Sequence, residues 1–384
     1  MKTEGTRPLN PVEFNFYSAA NRCEFLFFIF TGEKMSDIKT YEYVWLDGFK
    51  PEPSMRSKVK ATDLRGTDKG LANDDMPPKW SFDGSSTQQA EGGSSDCLLI
   101  PVQIYDNPTN PDHLVMCEVL AADNSIHPSN TRDAASKVVT DEWWFGFEQE
   151  YFFTNPDGSP LGWEDGEPRP QGDYYCGVGA DNVSGREISE MHLQACIEAG
   201  INLTGTNAEV ALGQWEYQCF GKGIKAGDDL WMSRYLLYKI AEEYGVGVNI
   251  HPKPKKGDWN GSGMHANFSN EEMRTAGSEK LFSSICDKLG EVHEEGIASY
   301  GSDNDQRLTG LHETQKITEF SYGISDRGAS IRIPVYTVEH NWNGYLEDRR
   351  PASNADPYKI ISHIVGTLTT VSYTHLTLPT ISDV

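Results

Sequence analysis

The chain has 384 residues, with 33 Lys and Arg against 57 Asp and Glu, which gives a formal net charge of −24 at pH 7. So negative a chain repels nucleic acid and anionic membrane surfaces, so we expect neither as a partner. Hydrophobic residues make up 38% and aromatic residues 11% of the chain, which excludes a disordered acidic protein. The length is sufficient for two or three ordinary domains with a buried core.

The two ends of the chain differ from the rest. Residues 1–34 contain one apolar run, at 25–30, which is too short and lacks the cleavage site of a secretory signal. Met35 then opens a segment that looks like an ordinary protein start. Residues 371–384 break the preceding pattern. We therefore expect 1–34 to lie upstream of the true start and 371–384 to be a non-native tail.

The cysteines indicate a reducing compartment. There are seven, an odd number, with irregular spacing and no Cys-x-x-Cys pair. This favours buried free thiols over a disulfide framework. No stretch approaches the roughly 18 apolar residues of a membrane-spanning helix. We therefore expect a cytoplasmic protein.

The first third of the chain is predicted to form strands. Runs of β-branched and aromatic residues occur at 41–46, 98–102 and 114–120. A polar loop rich in Gly and Ser lies between them at 82–87, and no long helical period is present. Residues 35–130 are therefore predicted to form a small β-rich domain.

From residue 131 onward, predicted helices and strands alternate. The helices are predicted at 186–199, with Ser184 as the possible cap, at 228–244 and at 278–299. The strands are predicted at 144–153, 213–220, 264–269 and 331–336. Residues 131–370 are therefore predicted to form a larger α/β or α+β domain of catalytic size.

Acidic residues recur on the predicted strands. Glu148 and Glu150 are two residues apart, so they share one face of an otherwise apolar strand. Two buried carboxylates repel each other unless a cation lies between them. An exposed edge strand is the alternative explanation, and it accounts for most such pairs.

The same signature recurs further along the chain. Glu209, Glu216 and Glu347 lie in aromatic-rich segments, and His265 follows a Gly-rich loop that would let the backbone approach a ligand closely. A single His is more often a core residue than a ligand. Five Glu and one His together, without thiolates, suit two Mg²⁺ or Mn²⁺ ions.

Positive charge is concentrated near the end of the chain. The arginines there are Arg307, Arg327, Arg332, Arg349 and Arg350. Some of them are expected to pair with Glu347 and Asp348. Guanidinium groups also bind carboxylates and phosphates through two parallel hydrogen bonds. Metals and arginines around a polyanion are typical of phosphoryl transfer. No P-loop motif is present, so ATP would have to bind without one.

Seven motifs follow one another in a fixed order, at 79–87, 145–151, 208–218, 260–269, 307–314, 328–334 and 345–351. Together they strongly resemble the glutamine synthetase family, over residues 40–370. The opening segment at 43–48 is similar to the shorter, eukaryote-like type II class. The resemblance implies an α+β fold, with a small β-grasp-like N-terminal domain and a larger catalytic domain built on a curved antiparallel sheet with flanking helices.

The resemblance also implies an assembly. Members of the family form closed double rings, here a decamer of two pentameric rings, with each active site between adjacent subunits. The loop around Asp83 would reach into the catalytic domain of the neighbour. An isolated subunit should therefore be inactive.

The resemblance implies ligands for two or three Mg²⁺ or Mn²⁺ ions. One ion would be held by Glu150, Glu209 and Glu216. A second ion, next to the phosphates of ATP, would be held by Glu148, His265 and Glu347.

The remaining matches concern the substrates, which are glutamate, ammonium and ATP. Arg307, Arg349, Asn260 and Gly261 match positions that bind glutamate. Arg327 matches the arginine that compensates charge on the transferred phosphoryl group. The nucleotide-side matches are Glu216, Gln218, Asn267, Ser269, Arg332 and Tyr345. Asp83, with Ser86 nearby, matches the group that binds and deprotonates ammonium, and Glu313 matches the carboxylate of a flap expected at 304–313.

The expected activity is that of a glutamate–ammonia ligase. A carboxylate is a poor electrophile, so ATP would first phosphorylate the glutamate side chain to an acyl phosphate, which ammonia then attacks. Two alternatives remain: a relative that ligates glutamate to another amine, and a structural homologue without catalysis. The presence of Asp83 and Glu313 favours ammonia, and the full set of metal-position residues disfavours a silent homologue.

Overall fold

The computed structural model describes residues 38–63, 76–109, 112–164 and 166–369. The expectations about residues 1–34 and 371–384 concern parts of the chain outside these ranges. None of the helices in the described ranges combines the length and the apolar character that crossing a bilayer requires.

The N-terminal part forms a five-stranded sheet. Its strands are β1 (Ile38–Leu46), β2 (Met55–Asp63), β3 (Trp80–Asp83), β4 (Asp96–Asp106) and β5 (His113–Ala121), in the order β2-β1-β5-β4-β3. Strands β1 and β5 are parallel, and the other neighbours are antiparallel. A 3₁₀ turn at Gly84–Thr87 follows β3. The runs predicted as strands at 41–46, 98–102 and 114–120 all lie within this sheet.

Strand alternation divides this sheet between two cores. Tyr43 and Trp45 pack with Phe82 on one face. Val44 and Leu46 point to the other face and join the main core of the protein. Because successive side chains of a strand face opposite ways, the apolar run at 41–46 is buried on both sides. The five-stranded sheet is thereby held firmly against the rest of the chain.

The remainder of the described chain combines helices with an eight-stranded sheet. Its strands are β6 (Trp144–Thr154), β7 (Leu203–Ala208), β8 (Gln214–Lys222), β9 (Gly247–Asn249), β10 (Met264–Ser269), β11 (Tyr322–Ile324), β12 (Ile331–Ile333) and β13 (Leu346–Asp348). The order is β11-β12-β13-β10-β6-β8-β7, and β9 pairs with β6. All pairs are antiparallel except β11 with β12.

Helices flank this sheet. They are α1 (Thr131–Val138), α2 (Arg186–Glu198), α3 (Lys225–Glu243), α4 (Glu271–Thr275), α5 (Glu279–Glu291), α6 (His293–Ser299), α7 (Val335–Glu339) and α8 (Pro357–Thr369). Helix α3 is buried along most of its length and packs against α2, α8 and β8. Its Asp229 accepts a hydrogen bond from Tyr105 of β4 at 2.9 Å, which joins it to the N-terminal sheet. The predicted α+β fold is confirmed.

Three local predictions were wrong. The single helix expected at 278–299 is two helices, α5 and α6, because Val292 leaves the helical conformation at φ −113° and ψ 32°. The strand expected at 331–336 ends at Ile333, and α7 begins directly after Pro334. Proline has no N–H to donate to a strand ladder, and it is well suited to a helix start.

The third correction concerns the start of α2. Gly185, not Ser184, is its N-terminal cap residue, and no side chain caps it. Gly185 has φ +84°, and a Cβ there would lie 2.5 Å from the ring of Phe153. Glycine is therefore required at this position both by backbone conformation and by space.

Candidate active site

The register of the large sheet brings the predicted acidic residues together. On central strand β6, Glu148 lies opposite His265 of β10 and Gln218 of β8. Glu150 lies opposite Glu216 of β8. Side chains that are directly opposite and on the same face of a sheet have Cβ atoms about 5 Å apart. Distant parts of the sequence thus place polar groups on one face of the sheet.

This face forms the floor of a cavity of about 600 Å³. Most of the site residues predicted from the sequence line it. They are Glu148, Glu150, Glu209, Glu216, Gln218, Asn260, Gly261, His265, Arg307, Glu313, Arg327, Arg332, Glu347 and Arg349. Gln149, between the two glutamates of β6, points to the opposite side and is fully buried. The alternation that the sequence predicted for this strand is therefore what builds the site.

Three of these residues form a compact group that could hold a metal ion. Ligand atoms of Glu148, His265 and Glu347 all lie within 4.8 Å of one another. His265 Nδ1 is 3.1 Å from Glu148 Oε2 and 3.5 Å from Glu347 Oε1. In the described part of the chain, no other three His, Cys, Asp or Glu residues have ligand atoms that all lie within 4.8 Å of one another. The set consists of hard oxygen donors and one imidazole, which fits Mg²⁺ or Mn²⁺.

The electrostatics show how costly the negative charge of this cavity is. Burial raises the pKa of Glu150 to about 6. Burial and the neighbouring Glu150 raise the pKa of Glu209 to about 8. Burial also raises the pKa of Glu148 and, together with the other three carboxylates, that of Glu216. Carboxylates with these properties gain stability from a bound cation.

Local hydrogen bonds hold these carboxylates in place. Glu150 Oε2 accepts from the backbone N–H of Gly263 at 3.0 Å and from Gln214 Nε2 at 3.3 Å. Glu209 accepts from Asn207 Nδ2 at 3.1 Å and from the backbone N–H of Val210 at 3.2 Å. The carboxylates are therefore oriented by the protein itself.

The arginines act partly as ion-pair partners and partly as cavity lining. Arg332 and Arg349 contact the two oxygens of Glu347 at 2.8 and 2.5 Å, so the expected pairing is confirmed. Arg327 contacts Glu313 at 3.4 Å at the exposed side of the cavity. Arg350, two residues beyond the end of β13, does not line the cavity but is buried and pairs with buried Asp348 at 2.7 Å.

Arg307 is the most deeply buried arginine of the cavity lining. It donates to His265 Nε2 at 3.1 Å, and burial lowers its pKa to about 10. The Gly-rich loop packs directly on Arg307. A Cβ at Gly261 would lie 2.7 Å from Arg307 Cγ, and a Cβ at Gly263 would lie 2.4 Å from Arg307 Nη2. The glycines therefore allow the loop to pack closely on Arg307, and Gly261 also lines the cavity.

A second cavity, of about 460 Å³, adjoins the first. Its lining includes Asn267, Ser269 and Tyr345 together with Trp144 and Phe220. Asn267 donates to Glu148 Oε1 at 2.8 Å, so it lies at the boundary between the two cavities. The predicted nucleotide-side residues are thus divided, with Glu216, Gln218 and Arg332 in the acidic cavity and the other three in the more aromatic one.

Two predicted residues lie away from both cavities. Asp83 and Ser86 are exposed at the 3₁₀ turn after β3. Asp83 Oδ1 accepts from the N–H of Ser85 at 2.9 Å and from its hydroxyl at 2.6 Å, and these bonds lower the pKa of Asp83. The folding of one chain does not bring them to the acidic residues.

The expected flap at 304–313 has two different parts. Asn304, Arg307 and Leu308 are buried, and Asn304 Nδ2 donates to the carbonyl of Arg350 at 2.8 Å. The tip at 310–313 is more open, and Leu311 is 66% exposed. The exposure expected of a flap is therefore most continuous at this tip.

Sequence reasoning missed several residues of the acidic cavity. They include Gln171, Tyr175, Asn207, Gln214, His312 and Thr314. Gln214 could have been found, because it precedes Glu216 by two residues on β8 and so shares its face. Gln171 lies in an irregular segment without periodicity, and only tertiary contacts reveal it.

The fold and this cavity indicate a class of protein: an enzyme whose acidic active site could hold a divalent metal ion, beside arginines that suit anionic substrates. Comparisons with known proteins specify the class further. The family description "Glutamine synthetase, catalytic domain" matches residues 131–298. Glutamine synthetase from Bradyrhizobium diazoefficiens is 50% identical over 338 residues, covering 86% of this chain and 96% of the relative.

Eukaryotic relatives give the same result. Glutamine synthetase from Schizosaccharomyces pombe is 48% identical over 85% of this chain and 91% of its own length. The Xenopus laevis protein is 47% identical, over 85% of this chain and 84% of the relative. This chain belongs to the glutamine synthetase family. It is accordingly an ATP-dependent ligase that joins glutamate and ammonia.

Proposed function

We propose that the acidic cavity is where this chain forms glutamine, using two or three Mg²⁺ or Mn²⁺ ions and the residues matched to the family. The compact group of Glu148, His265 and Glu347 carries this proposal. Its ligand atoms are close enough to share one ion, its two carboxylates are at least partly buried, and that of Glu347 is paired with two arginines. A relative that ligates another amine, or a silent homologue, has no feature of the cavity in its favour.

In this proposal two sets of residues hold the divalent ions. Glu148, His265 and Glu347 hold one, and Glu150, Glu209 and Glu216 hold another. The raised pKa values of Glu150 and Glu209 support the second set, because unpaired buried carboxylates are unstable. When bound, the ions would neutralise the ATP phosphates and favour phosphoryl transfer.

The chain's own residues would bind and orient the substrates. Arg307, Arg349, Asn260 and Gly261 hold the glutamate, and the adjoining aromatic cavity takes the nucleotide with Asn267, Ser269 and Tyr345. Gln218, Glu216 and Arg332 contact the nucleotide from the acidic side. Arg327, which is exposed toward the cavity, compensates charge on the phosphoryl group during transfer.

The second half of the reaction requires a base. Ammonium has no lone pair until it loses a proton, so a carboxylate must bind it and accept that proton. Asp83, with Ser86 beside it, has this role in our proposal, and Glu313 closes the cavity against water. Water would otherwise hydrolyse the acyl phosphate.

Asp83 would have to come from a neighbouring subunit. It is exposed in the N-terminal sheet and remote from the acidic residues of its own chain. We therefore propose a homo-oligomer with shared active sites, a decamer of two pentameric rings. The domain boundary at 130–131, between β5 and α1, would separate the part that supplies Asp83 from the part that supplies the metal ligands.

A complementation experiment tests the shared site. Asp83→Ala and Glu150→Ala subunits should each form inactive rings. When the two are dissociated, mixed in equal amounts and reassembled, about a quarter of the sites should contain both intact groups. Glutamine formation should then return to about a quarter of the wild-type rate. Mixed rings without activity, at verified ring size, would contradict the shared site.

The activity itself is tested with ammonia and methylamine as competing acceptors. Assembled protein should form glutamine only with ATP, glutamate and a divalent ion, and it should use methylamine poorly. Efficient methylamine ligation would instead favour the alternative amine ligase.

A cytoplasmic location is part of the proposal. The six described cysteines are all free, which suits a reducing compartment. Cys176 is exposed, however, whereas the sequence analysis expected buried thiols.

A further inference from the structure

Gln171 makes an unusually complete set of contacts with Asn260. Its Oε1 accepts the backbone N–H of Asn260 at 2.6 Å, and its Nε2 lies 2.6 Å from Asn260 Oδ1. A backbone N–H can only donate, so the carbonyl oxygen of the Gln171 amide must face it. The NH₂ group must then face Asn260 Oδ1. Both ends of the Gln171 amide are therefore fixed by one residue of the Gly-rich loop.

The same NH₂ group also reaches the tip of the flap. Gln171 Nε2 is 3.3 Å from His312 Nδ1. Since the NH₂ group donates, His312 Nδ1 accepts, and the ring proton of neutral His312 is on Nε2. That Nε2 lies 3.3 Å from Asp258 Oδ1. The flap tip is thus connected through Gln171 to the Gly-rich loop at 260–263, and through Asp258 to the segment just before that loop.

Gln171 stands on a fixed support. The next residue, Gly172, donates its N–H to the carbonyl of Val210 at 2.9 Å, and Cys176 donates to the carbonyl of Ala208 at 2.9 Å. The segment is therefore attached to the end of β7, beside Glu209. A side chain that binds two loops from a fixed support can set their relative position.

The flap tip needs such support because its backbone is unfavourable. His312 and Glu313 are consecutive non-glycine residues with φ of 54° and 59°. This left-handed conformation is costly for side chains with a Cβ, and surrounding contacts have to maintain it. The contacts of the His312 side chain with Gln171 and Asp258 serve this purpose.

We propose that Gln171 is a positioning residue that couples the glutamate-binding loop to the flap. Because Asn260 and His312 share its NH₂ group, ordering Asn260 around a bound amino acid also fixes His312 and holds Glu313 over the cavity. The inference rests on the proposed function for the roles of Asn260 and Glu313. Glutamate binding and exclusion of water are thereby two effects of one side chain.

The experiment replaces Gln171 and measures two quantities. Gln171→Ala removes the three contacts, so the KM for glutamate should rise about tenfold, while the KM for ATP stays unchanged. Phosphate release should exceed glutamine formation by at least about twofold, because the loosened flap admits water. A residue that only stabilised the fold would not change the ratio of phosphate to glutamine at constant ring size.

Further variants separate the two halves of the coupling. His312→Ala should uncouple phosphate release in the same way but change the KM for glutamate less, because the Gln171–Asn260 contacts remain. The double variant should be no more uncoupled than the more affected single variant, since both remove one shared contact. Gln194→Ala, on the exposed face of α2, is the matched control and should behave as wild type.

The outcomes distinguish the coupling from the proposed function. If wild-type protein forms no glutamine, the proposed function fails. If wild-type protein is active and Gln171→Ala keeps both its glutamate KM and a phosphate-to-glutamine ratio of about one, the coupling is overturned. Additive uncoupling in the double variant would overturn it as well. If Gln171→Ala does not fold, Gln171→Glu, which keeps the size but replaces the shared NH₂ group by an acceptor, takes its place.

Discussion

Glu148 and His265 face each other across neighbouring strands, with Glu148 Oε2 at 3.1 Å from His265 Nδ1. The second oxygen of Glu148 and the second ring nitrogen of His265 also have partners. Asn267 donates to Glu148 Oε1, and Arg307 donates to His265 Nε2. An arginine cannot accept, so the proton of the neutral imidazole lies on Nδ1, between the two residues. A divalent ion held through Nδ1 would require this proton to move to Nε2, and the Arg307 N–H would then have to turn away from that nitrogen.

The first prediction concerns metal affinity. Glu148→Ala removes one ligand of the compact group, so the affinity for one Mn²⁺ ion should fall by at least about tenfold. Isothermal titration of Mn²⁺ into assembled, metal-free protein measures this. The control is Glu142→Ala, which removes an exposed glutamate at the start of the same segment. Equal Mn²⁺ binding by wild type and Glu148→Ala would contradict the assignment.

The second prediction concerns pH. Glu209, with a pKa of about 8, binds its proton more readily in the folded state than in the unfolded chain. A raised pKa stabilises the folded state at low pH, and this contribution is lost as the pH rises through 8. Metal-free Glu209→Gln should therefore have a higher Tm than wild type at pH 8.5, with a smaller difference at pH 5.5.

A bound divalent ion should raise the Tm of the wild-type protein and so reduce its difference from Glu209→Gln. Because divalent ions bind the ionised carboxylates, Mg²⁺ should raise the wild-type Tm more at pH 8.5 than at pH 5.5. Scanning calorimetry at the two pH values, with and without Mg²⁺, measures both effects. Glu272→Gln, an exposed glutamate of α4, is the control. A Tm difference between Glu209→Gln and wild type that does not grow with pH would count against the buried, unpaired carboxylate.

Sequence pattern was sufficient to predict the floor of the cavity. The alternation of Glu148 and Glu150 in an apolar strand, and of His265 and Asn267 in another, predicts which side chains share a face. Pairing between strands then follows once the strands occupy one sheet. The family resemblance supplied the roles, which composition and spacing leave open.

Other features depend on contacts that no local pattern encodes. Gln171 and His312 meet through irregular segments that are 141 residues apart in the chain. Arg350 has the same charge as Arg349, yet it is buried in an ion pair with Asp348 and does not line the cavity. Asp83 would become part of a site only through a neighbouring chain, which a single sequence does not describe.

The third prediction tests the role of Asp83. Asp83→Ala should reduce glutamine formation by at least about 100-fold, in the range of general acid–base contributions. It should reduce glutamate-dependent cleavage of ATP much less, because that step precedes the use of ammonia. Parallel measurements of glutamine and ADP give both rates.

Asp123→Ala is a closely matched control for this variant. Asp123 is exposed, accepts the backbone N–H of Ser125 at 2.9 Å and has a pKa lowered by the same kind of contact as Asp83. Its loss should leave both rates unchanged. Equal losses of both rates in Asp83→Ala would refute a specific role with ammonium.

The fourth prediction concerns the buried pair behind the cavity. Asp348 and Arg350 are at most 1% exposed, and Tyr300 donates a further hydrogen bond to Asp348 at 2.8 Å. Arg350→Met leaves a buried carboxylate without its cation, which should lower the free energy of unfolding by about 3–5 kcal/mol. Urea titration of the assembled protein measures this change.

The double variant shows whether the pair itself stabilises the protein. Arg350→Met with Asp348→Leu leaves no unpaired charge, so it should be more stable than Arg350→Met alone. Lys137→Ala, which removes an exposed pair with Asp133 in α1, should cost no more than about 0.5 kcal/mol. If the double variant were instead the least stable, the contribution of Arg350 would come from packing rather than from charge. Since Glu347 and Arg349 alternate with Asp348 and Arg350 along the sequence, the activity of the double variant would also show how far the pair positions them.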